Sequence, residues 1–226
     1  MQAMETNRVV LQYQPIVNST TGEHEFYECL LRIVDNRGYK LSASPHIQAA
    51  EDYGVIRTVD KFVLTKAVEL LERDEDIKLH VNISGATITD TEWVEFVKRL
   101  FYKKDFFGRL TFEITESSII KNFKEASFLI RELNELGCGI SIDDFGSGYN
   151  SYVQLKNINA TSVKIGGEYI RDIMDNRNNM LFVKVLIELA KNLRLKTIAE
   201  YVDNERVITL LKELGVDYFQ GSLFTR

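Results

Sequence analysis

Asp143 and Asp144 are adjacent carboxylates at the end of a short apolar run, and Gly146 and Gly148 follow at once, in the stretch GISIDDFGSGYNS from Gly139 to Ser151. Alternation along a strand places Ser141 and Asp143 on one face and Ile140 and Ile142 on the other, with Asp144 on the bend. Two carboxylates at a strand end, beside glycines that let the backbone turn, could hold a pair of hard cations or serve as acid and base. They could equally be a helix N-cap with a spare surface acid. What the rest of the chain brings to the same place decides between these.

The elements that would position such a pair repeat along the chain. LQYQPIV (Leu11 to Val17) and HEFYECLLRIV (His24 to Val34) read as strands paired antiparallel through a turn at Asn18 to Gly22, with a break over Asp35 to Gly38. Helical spacing begins near Ser44 and continues through IRTVDKFVLTKAVELLE, where Val59, Phe62, Val63, Ala67 and Leu70 fall on one stripe. Strands then alternate with helices: IKLHVNIS, LTFEIT, CGISID, TSVKI, LKTIAE and VDYFQG are the strands. Gly137 is the expected C-terminal cap of the helix before CGISID, and a short helix is expected near Tyr152 to Lys156. This alternation, without a composition break, predicts a single parallel α/β domain over residues 1–226.

Side-chain parity selects a closed (β/α) barrel over an open sheet. One strand face carries His80, Asn82 and Ser84, then Thr111, Glu113 and Thr115, then Ser141 and Asp143, Ser162 and Lys164, and Ile198 and Glu200. The other carries Val81 and Ile83, Phe112 and Ile114, Ile140 and Ile142, and Val163 and Ile165. An open sheet covered on both sides is apolar on both faces, whereas a barrel with a site at the C-terminal ends of its strands turns polar there.

Glu28, Asn82, Glu113 and Asp143 offer oxygen ligands, and Asp144 and Glu200 offer two more. With no Cys or His among them, the set suits Mg²⁺ or Mn²⁺ rather than zinc or copper. Carboxylates packed together repel unless cations neutralise them, so two ions are expected, with Asp143 as their bridge. Paired ions activate a water and stabilise a leaving oxygen in phosphoester hydrolysis. Lys164, the one cation on this strand face, could hold the attacking water, screen phosphate charge, or serve structure alone. Gln14 and Arg32 could hold a phosphate or a base edge.

The formal net charge of −5 argues against a generic duplex nucleic-acid surface but leaves room for a small anionic ligand. No apolar run approaches the roughly 20 residues of a membrane span, and no basic-then-apolar leader is visible, so a cytoplasmic location is expected. Cys29 and Cys138 read as reduced core thiols.

The motifs YQPIV, YECLLR, HVNIS, FEITES, SIDDFGSGYNS, SVKI, TIAEYVD and YFQG, in this order, resemble the EAL-domain cyclic di-GMP phosphodiesterases of bacteria along nearly the whole chain. The resemblance implies a modified TIM (β/α)8 barrel with an antiparallel first strand. It implies hydrolysis of one phosphodiester in cyclic di-GMP to give linear pGpG, with two Mg²⁺ or Mn²⁺ ions. Glu28 matches the signature glutamate, Asn82, Glu113 and Asp143 match ligands of the first metal, and Asp144 and Glu200 match acids at the second metal and the nucleophilic water. Lys164 and Gln220 match the remaining catalytic-pocket positions, and Gln14 and Arg32 match substrate contacts. Glu116 matches a glutamate that braces the loop after Asp144, a loop associated with the family's homodimer interface. Neighbouring sensory or cyclase domains are also common in the family, so the resemblance implies a single EAL domain excised from a longer multidomain protein.

Four departures stand out. Cys29 replaces the usual Ala of the signature triplet, Gly166 stands where the resemblance expects Asp, Tyr201 and Asp203 replace Gly and the last Glu of AEGVE, and Ser222 replaces the usual Tyr. Loss of a carboxylate at 166 is the change expected to weaken the second metal and lower turnover. The alternative function is therefore a catalytically weak or inactive domain that serves as a cyclic di-GMP receptor or protein-interaction module.

Overall fold

The computed structural model describes residues 8–146 and 156–225. Its first feature is a long antiparallel hairpin of β1 (Val9–Asn18) and β2 (His24–Val34), in which Gln14 lies opposite Glu28. The Asn18 side-chain oxygen accepts from the N–H groups of Thr20 and Thr21 at 2.9 and 3.1 Å, and Gly22 takes φ +77°, which closes the turn. The break expected over Asp35 to Gly38 is a turn, in which the Asp35 carboxylate accepts from Arg37 and Tyr39 N–H, and it leads into a further strand, β3 (Lys40–Ser42), on β2.

The alternating units follow: α1 (Ser44–Asp52), α2 (Ile56–Arg73), β4 (Leu79–Asn82), α3 (Gly85–Ile88), α4 (Thr91–Leu100), β5 (Leu110–Thr115), α5 (Glu116–Lys121), α6 (Phe123–Glu135) and β6 (Gly139–Phe145). After them come β7 (Ser162–Ile165), α7 (Gly167–Ile170), α8 (Arg177–Asn192), β8 (Lys196–Ala199), α9 (Glu205–Leu214), β9 (Tyr218–Gln220) and one 3₁₀ turn, Ser222–Phe224. Helix starts are marked by side chains the sequence places there: Ser84, Asp90, Thr115, Asn176 and Asn204 each accept from a first-turn N–H. Gly137 takes φ +81° after α6, and Cys138 N–H reaches back to Leu133 O at 3.0 Å, as expected of a C-terminal cap. The short helix expected at 152–156 lies, but for Lys156, outside the described residues.

Strand order is β1-β9-β8-β7-β6-β5-β4-β2, with β1 pairing back to β2, so the sheet closes into an eight-stranded barrel to which β3 adds an outer edge. β1 runs antiparallel to both neighbours and the remaining barrel pairs are parallel. The antiparallel first strand is as expected. Val81, Phe112, Ile114, Ile140, Ile142, Val163 and Ile165 are fully buried and join Leu64, Trp93, Leu129, Leu133 and Ile187 of the helices in one core between barrel and helix ring. The polar face points inward: His80, Thr111, Glu113, Ser141, Ser162 and Lys164 are all buried. Among the described residues no helix is long and apolar enough to cross a membrane.

Two local differences from the expected elements have clear causes. The buried stripe of α2 is broader than expected and includes Ile56, Asp60, Leu64, Val68 and Leu71, while Val59, Phe62 and Leu70 are only partly buried. Asp60 is tolerated inside because its Oδ2 accepts from Ser84 N–H (3.0 Å), Ser84 Oγ (2.7 Å) and Thr87 Oγ1 (2.7 Å). Strand β6 does not end before Asp144; it carries a register shift between Ile142 and Phe145, and Asp144 adopts φ +52° within it. That is a β-bulge, with a short polar residue in the left-handed region.

β9 is held at its C-terminal end by close backbone approach. A Cβ on Gly221 would stand 2.0 Å from Val202 O and 2.5 Å from Val202 N, while Val202 N–H donates to Gln220 O at 3.0 Å. Gly221→Ala is expected to force β9 away from the 200–202 segment and to lower the unfolding free energy in urea by about 1–3 kcal/mol. An unchanged urea midpoint would show that the close approach is not a constraint.

Candidate active site

The Lys164 ammonium occupies the centre of the polar barrel mouth. It lies 3.1 Å from Glu28 Oε2, 2.9 Å from Glu113 Oε2, 2.9 Å from Glu200 Oε1 and 3.8 Å from Asp143 Oδ1. The barrel register explains the convergence. Glu28 is the cross-strand partner of His80, Asn82 of Glu113, and Lys164 of Ile198, so inward side chains of neighbouring strands stack in adjacent layers.

Each acid on the first side of Lys164 has both oxygens engaged. Glu28 Oε1 accepts from Asn82 Nδ2 at 2.7 Å, and Oε2 accepts from Gln220 Nε2 at 2.5 Å as well as from Lys164. Gln220 Nε2 also donates to Gln14 Oε1 at 3.0 Å, which links β9, β1 and β2 across the antiparallel seam. Glu113 Oε1 meets His80 Nδ1 at 2.8 Å and Oε2 meets Lys164.

On the other side, Asp143, Asp144 and Glu200 bring carboxylate oxygens within 4.8 Å of one another. Simple alternation would send Asp143 and Asp144 to opposite faces. The bulge re-aims Asp144, whose N–H donates to Asp143 Oδ1 at 3.0 Å. Glu200 lies one residue past β8, with its N–H donating to Ile165 O at 3.2 Å. The donors in reach are hard oxygens, which fit a cation of the Mg²⁺ or Mn²⁺ type and not a thiolate or imidazole metal.

The electrostatics favour added positive charge. Burial opposes the charge of Lys164, but Glu113, Glu200, Glu28 and Asp143 outweigh it and hold the ammonium well above its usual range. Burial also opposes ionisation of Glu28, yet the Lys164 charge and hydrogen bonds from Gln220, Asn82 and Lys164 bring that carboxyl down to about 2. Burial and the Glu28 charge push Glu113 well above the carboxylate range. Burial, then Asp143, raises Asp144, and burial, with Asp143 and Glu28 adding to it against Lys164, raises Glu200. One ammonium thus serves four acids, with Asp144 beside them, and a divalent cation would relieve the repulsion left over.

The remaining expected residues sit around this centre. Arg32 is half-buried, with Nε donating to Gln12 Oε1 at 2.7 Å, and it lines a cleft of about 510 Å³ with Glu28, Asn82, Ser44 and Glu51. Glu116, at the start of α5, is buried and its Oε2 accepts from Gly146 N–H at 2.9 Å. The rest of the Gly-rich stretch, residues 147–151, lies outside the described residues.

A comparison with protein families matches the EAL domain over residues 1–226. This chain belongs to the EAL domain family. The cyclic di-GMP phosphodiesterase PdeF of Escherichia coli is 34% identical over 227 residues, covering 98% of this chain and 30% of PdeF, so the chain spans under a third of that relative. Among solved structures, the PaMucR phosphodiesterase in complex with c-di-GMP superposes with a TM-score of 0.92 at 29% identity, covering 100% of this chain and 94% of that one. The FimX EAL domain from Pseudomonas aeruginosa bound to c-di-GMP gives 0.91 at 27% identity, covering 100% and 93%.

Within this EAL domain the signature triplet is Glu28-Cys29-Leu30, and Cys29, like Cys138, is a buried free thiol. His80 is the site-proximal residue that sequence reasoning left without a role, although its position two before Asn82 on the same strand face places it in the same layer. Burial first, and the Lys164 charge second, lower its imidazole to about 3. A neutral ring shares one hydrogen bond with Glu113 through Nδ1, as donor or as acceptor according to the tautomer, and in both cases orients that side chain.

Two predictions follow from this charge arrangement. Lys164→Met leaves the buried acids without their ammonium and is expected to destabilise the metal-free protein by about 3–5 kcal/mol. Excess Mn²⁺ should then raise the thermal midpoint of the variant more than that of the wild type, and an equal rise in both would refute this charge balance. For His80, the unfolded imidazole takes up a proton near pH 6.5 while the folded one stays neutral to about 3, so stability is full above pH 6.5 and falls as pH drops through that window. In His80→Gln the loss of unfolding free energy between pH 6.5 and 4 should be shallower by up to about 1.4 kcal/mol per pH unit, and parallel pH profiles would contradict the neutral-imidazole assignment.

Proposed function

We propose that this EAL domain hydrolyses one phosphodiester of cyclic di-GMP to linear pGpG. The observation that carries this reading is the ring of carboxylates and one ammonium at the C-terminal ends of the barrel strands, beside a cleft that Arg32 lines. Names of relatives that specify cyclic di-GMP phosphodiesterases support the same substrate class.

Glu28, Asn82, Glu113 and Asp143 would hold one Mg²⁺ or Mn²⁺ ion, and Asp144 and Glu200 would hold a second. Bound there, the ions would lower the pKa of a water and stabilise the departing oxygen. Lys164, with its ammonium held charged by four acids, keeps a proton donor at the centre of the site and screens the phosphate. Gln220 and Asn82 hold Glu28 in one orientation, and His80 does the same for Glu113. Arg32 and Gln14 contact the substrate, with Arg32 supplying a planar fork for a phosphate or guanine edge. Glu116 anchors the backbone at Gly146, and so the loop after Asp144. In the cell we place the domain in the cytoplasm, as one unit of a longer signalling protein that pairs as a homodimer and is joined to sensory or cyclase partners.

Purified protein with Mg²⁺ or Mn²⁺ is expected to convert cyclic di-GMP to pGpG by chromatographic assay, with loss of activity in EDTA. Glu28→Ala should reduce the rate by roughly a thousandfold or more, on the order of 4 kcal/mol of transition-state stabilisation. Metal-loaded wild-type protein that binds the dinucleotide yet forms no pGpG on long incubation would replace the enzyme reading with that of a receptor.

A further inference from the structure

Glu200 differs from the other acids around Lys164 in lying outside a strand, one residue beyond the end of β8. Its carboxylate is paired with Lys164 at 2.9 Å, so its place depends on the backbone that carries it. That backbone is tied on both sides of Tyr201: Glu200 N–H donates to Ile165 O at 3.2 Å, and Val202 N–H donates to Gln220 O at 3.0 Å. Tyr201 itself takes φ +53°, in the left-handed region that favours glycine and is costly for a bulky side chain. An aromatic residue at that point needs an offsetting contact. Its ring has one on α7. A Cβ built on Gly167 would stand 2.6 Å from Tyr201 Cγ and 2.7 Å from Cε2, so the ring fills the space that a side chain at 167 would take. Arg171, four residues along the same helical turn and its continuation, holds its guanidinium 4.0 Å from the ring centroid. The ring is thus seated on the bare backbone of one turn and covered by the cation of the next. Gly167 follows Lys164 by three residues, so this seat joins the segment that carries Glu200 to the segment that carries its ion-pair partner. Tyr201 is 54% exposed, which separates this contact from core packing.

We propose that Tyr201 is a positioning residue for Glu200, acting through its ring, which Gly167 seats and Arg171 covers. The role in catalysis rests on the phosphodiesterase reading above; the placement of Glu200 does not. Tyr201 and Gly167 then form one device: the ring needs the missing side chain at 167, and a side chain at 167 would expel the ring. The phenolic hydroxyl has no part in it, since the contact is made by the ring carbons and the π face.

The test has a structural and a kinetic arm. In crystals grown with EDTA, the wild type should show Glu200 paired with Lys164, and Tyr201→Ala should show Glu200 turned away from it. In steady-state hydrolysis of cyclic di-GMP with Mn²⁺, Tyr201→Ala should lower kcat roughly ten- to hundredfold. KM should stay within about twofold, the pattern of a group misplaced for the chemical step and not for binding. Tyr201→Phe keeps the ring and should keep the wild-type kcat. Gly167→Ala should lower kcat by a similar factor, and adding it to Tyr201→Ala should cost no more, because the seat is already empty. Arg171→Ala, which leaves the 200–202 backbone untouched, gives the same two readouts should Tyr201→Ala fail to fold, and should likewise release Glu200 and lower kcat. Glu200 unmoved on Lys164 when the ring or its cover is removed overturns the positioning role. Losses at 167 and 201 that simply multiply overturn the single device. Wild-type protein that forms no pGpG overturns the phosphodiesterase reading instead, and the place of Glu200 in the two crystals still decides for or against Tyr201.

Discussion

A single buried ammonium holds the mouth of this barrel together. Lys164 sits within 3.1 Å of carboxylates from β2, β5 and the end of β8. Taking those charges out of water is costly, and a well-packed apolar core would serve stability as well or better. The arrangement is therefore best understood as pre-organisation. The strands must deliver acids to one point before any cation or substrate arrives, and the ammonium makes that crowding tolerable. The inward layers beneath it are polar for the same reason: Asn82 and His80 take the oxygens of Glu28 and Glu113 that Lys164 leaves, and Gln220 shares Glu28 Oε2 with Lys164, so those two acids have fixed orientations.

The antiparallel first strand is part of the same constraint. It brings Gln14 opposite Glu28 and Ile16 opposite Gln220, and the resulting Gln14–Gln220–Glu28 chain closes the barrel at the site itself. The hairpin also leaves the outer end of β2 free to carry β3, so that Arg32 and the cleft beside it lie between the hairpin and the α1–α2 pair. Glu28 of the carboxylate ring and the cleft-lining Arg32 are thereby carried by one strand, β2, four residues apart.

Local backbone geometry then refines what topology sets up. The bulge at Asp144 converts two consecutive acids into two that converge with Glu200, and Glu116 clamps the backbone two residues later. Gly166 and Gly167 work in the opposite sense, by withholding side chains so that Glu168 and Tyr201 can come close. The departures from the usual family motif at 166 and 201 are thus spatially related: both concern what packs over a pair of glycines at the end of β7.

The barrel and most of the site were legible in the chain by itself. Polar and apolar residues alternate with period two through strand after strand, and acids recur near the strand ends, so Asn82, Glu113, Asp143, Lys164 and Glu200 could be placed on one surface without coordinates, and the family resemblance added Glu28 to them. The capping signal at Gly137 marked the end of α6 because a C-terminal cap acts on neighbouring backbone groups. The buried Asp60 and the pairing of His80 with Glu113 were not legible, since each depends on a partner more than twenty residues away, and the edge strand β3 is three exposed residues, too short for a period to show. Nor could alternation show that Asp143 and Asp144 converge, because a bulge breaks the period from which faces are read. What occupies the space beside Gly166 was likewise decided only in three dimensions, by the direction in which Glu168 folds back from α7.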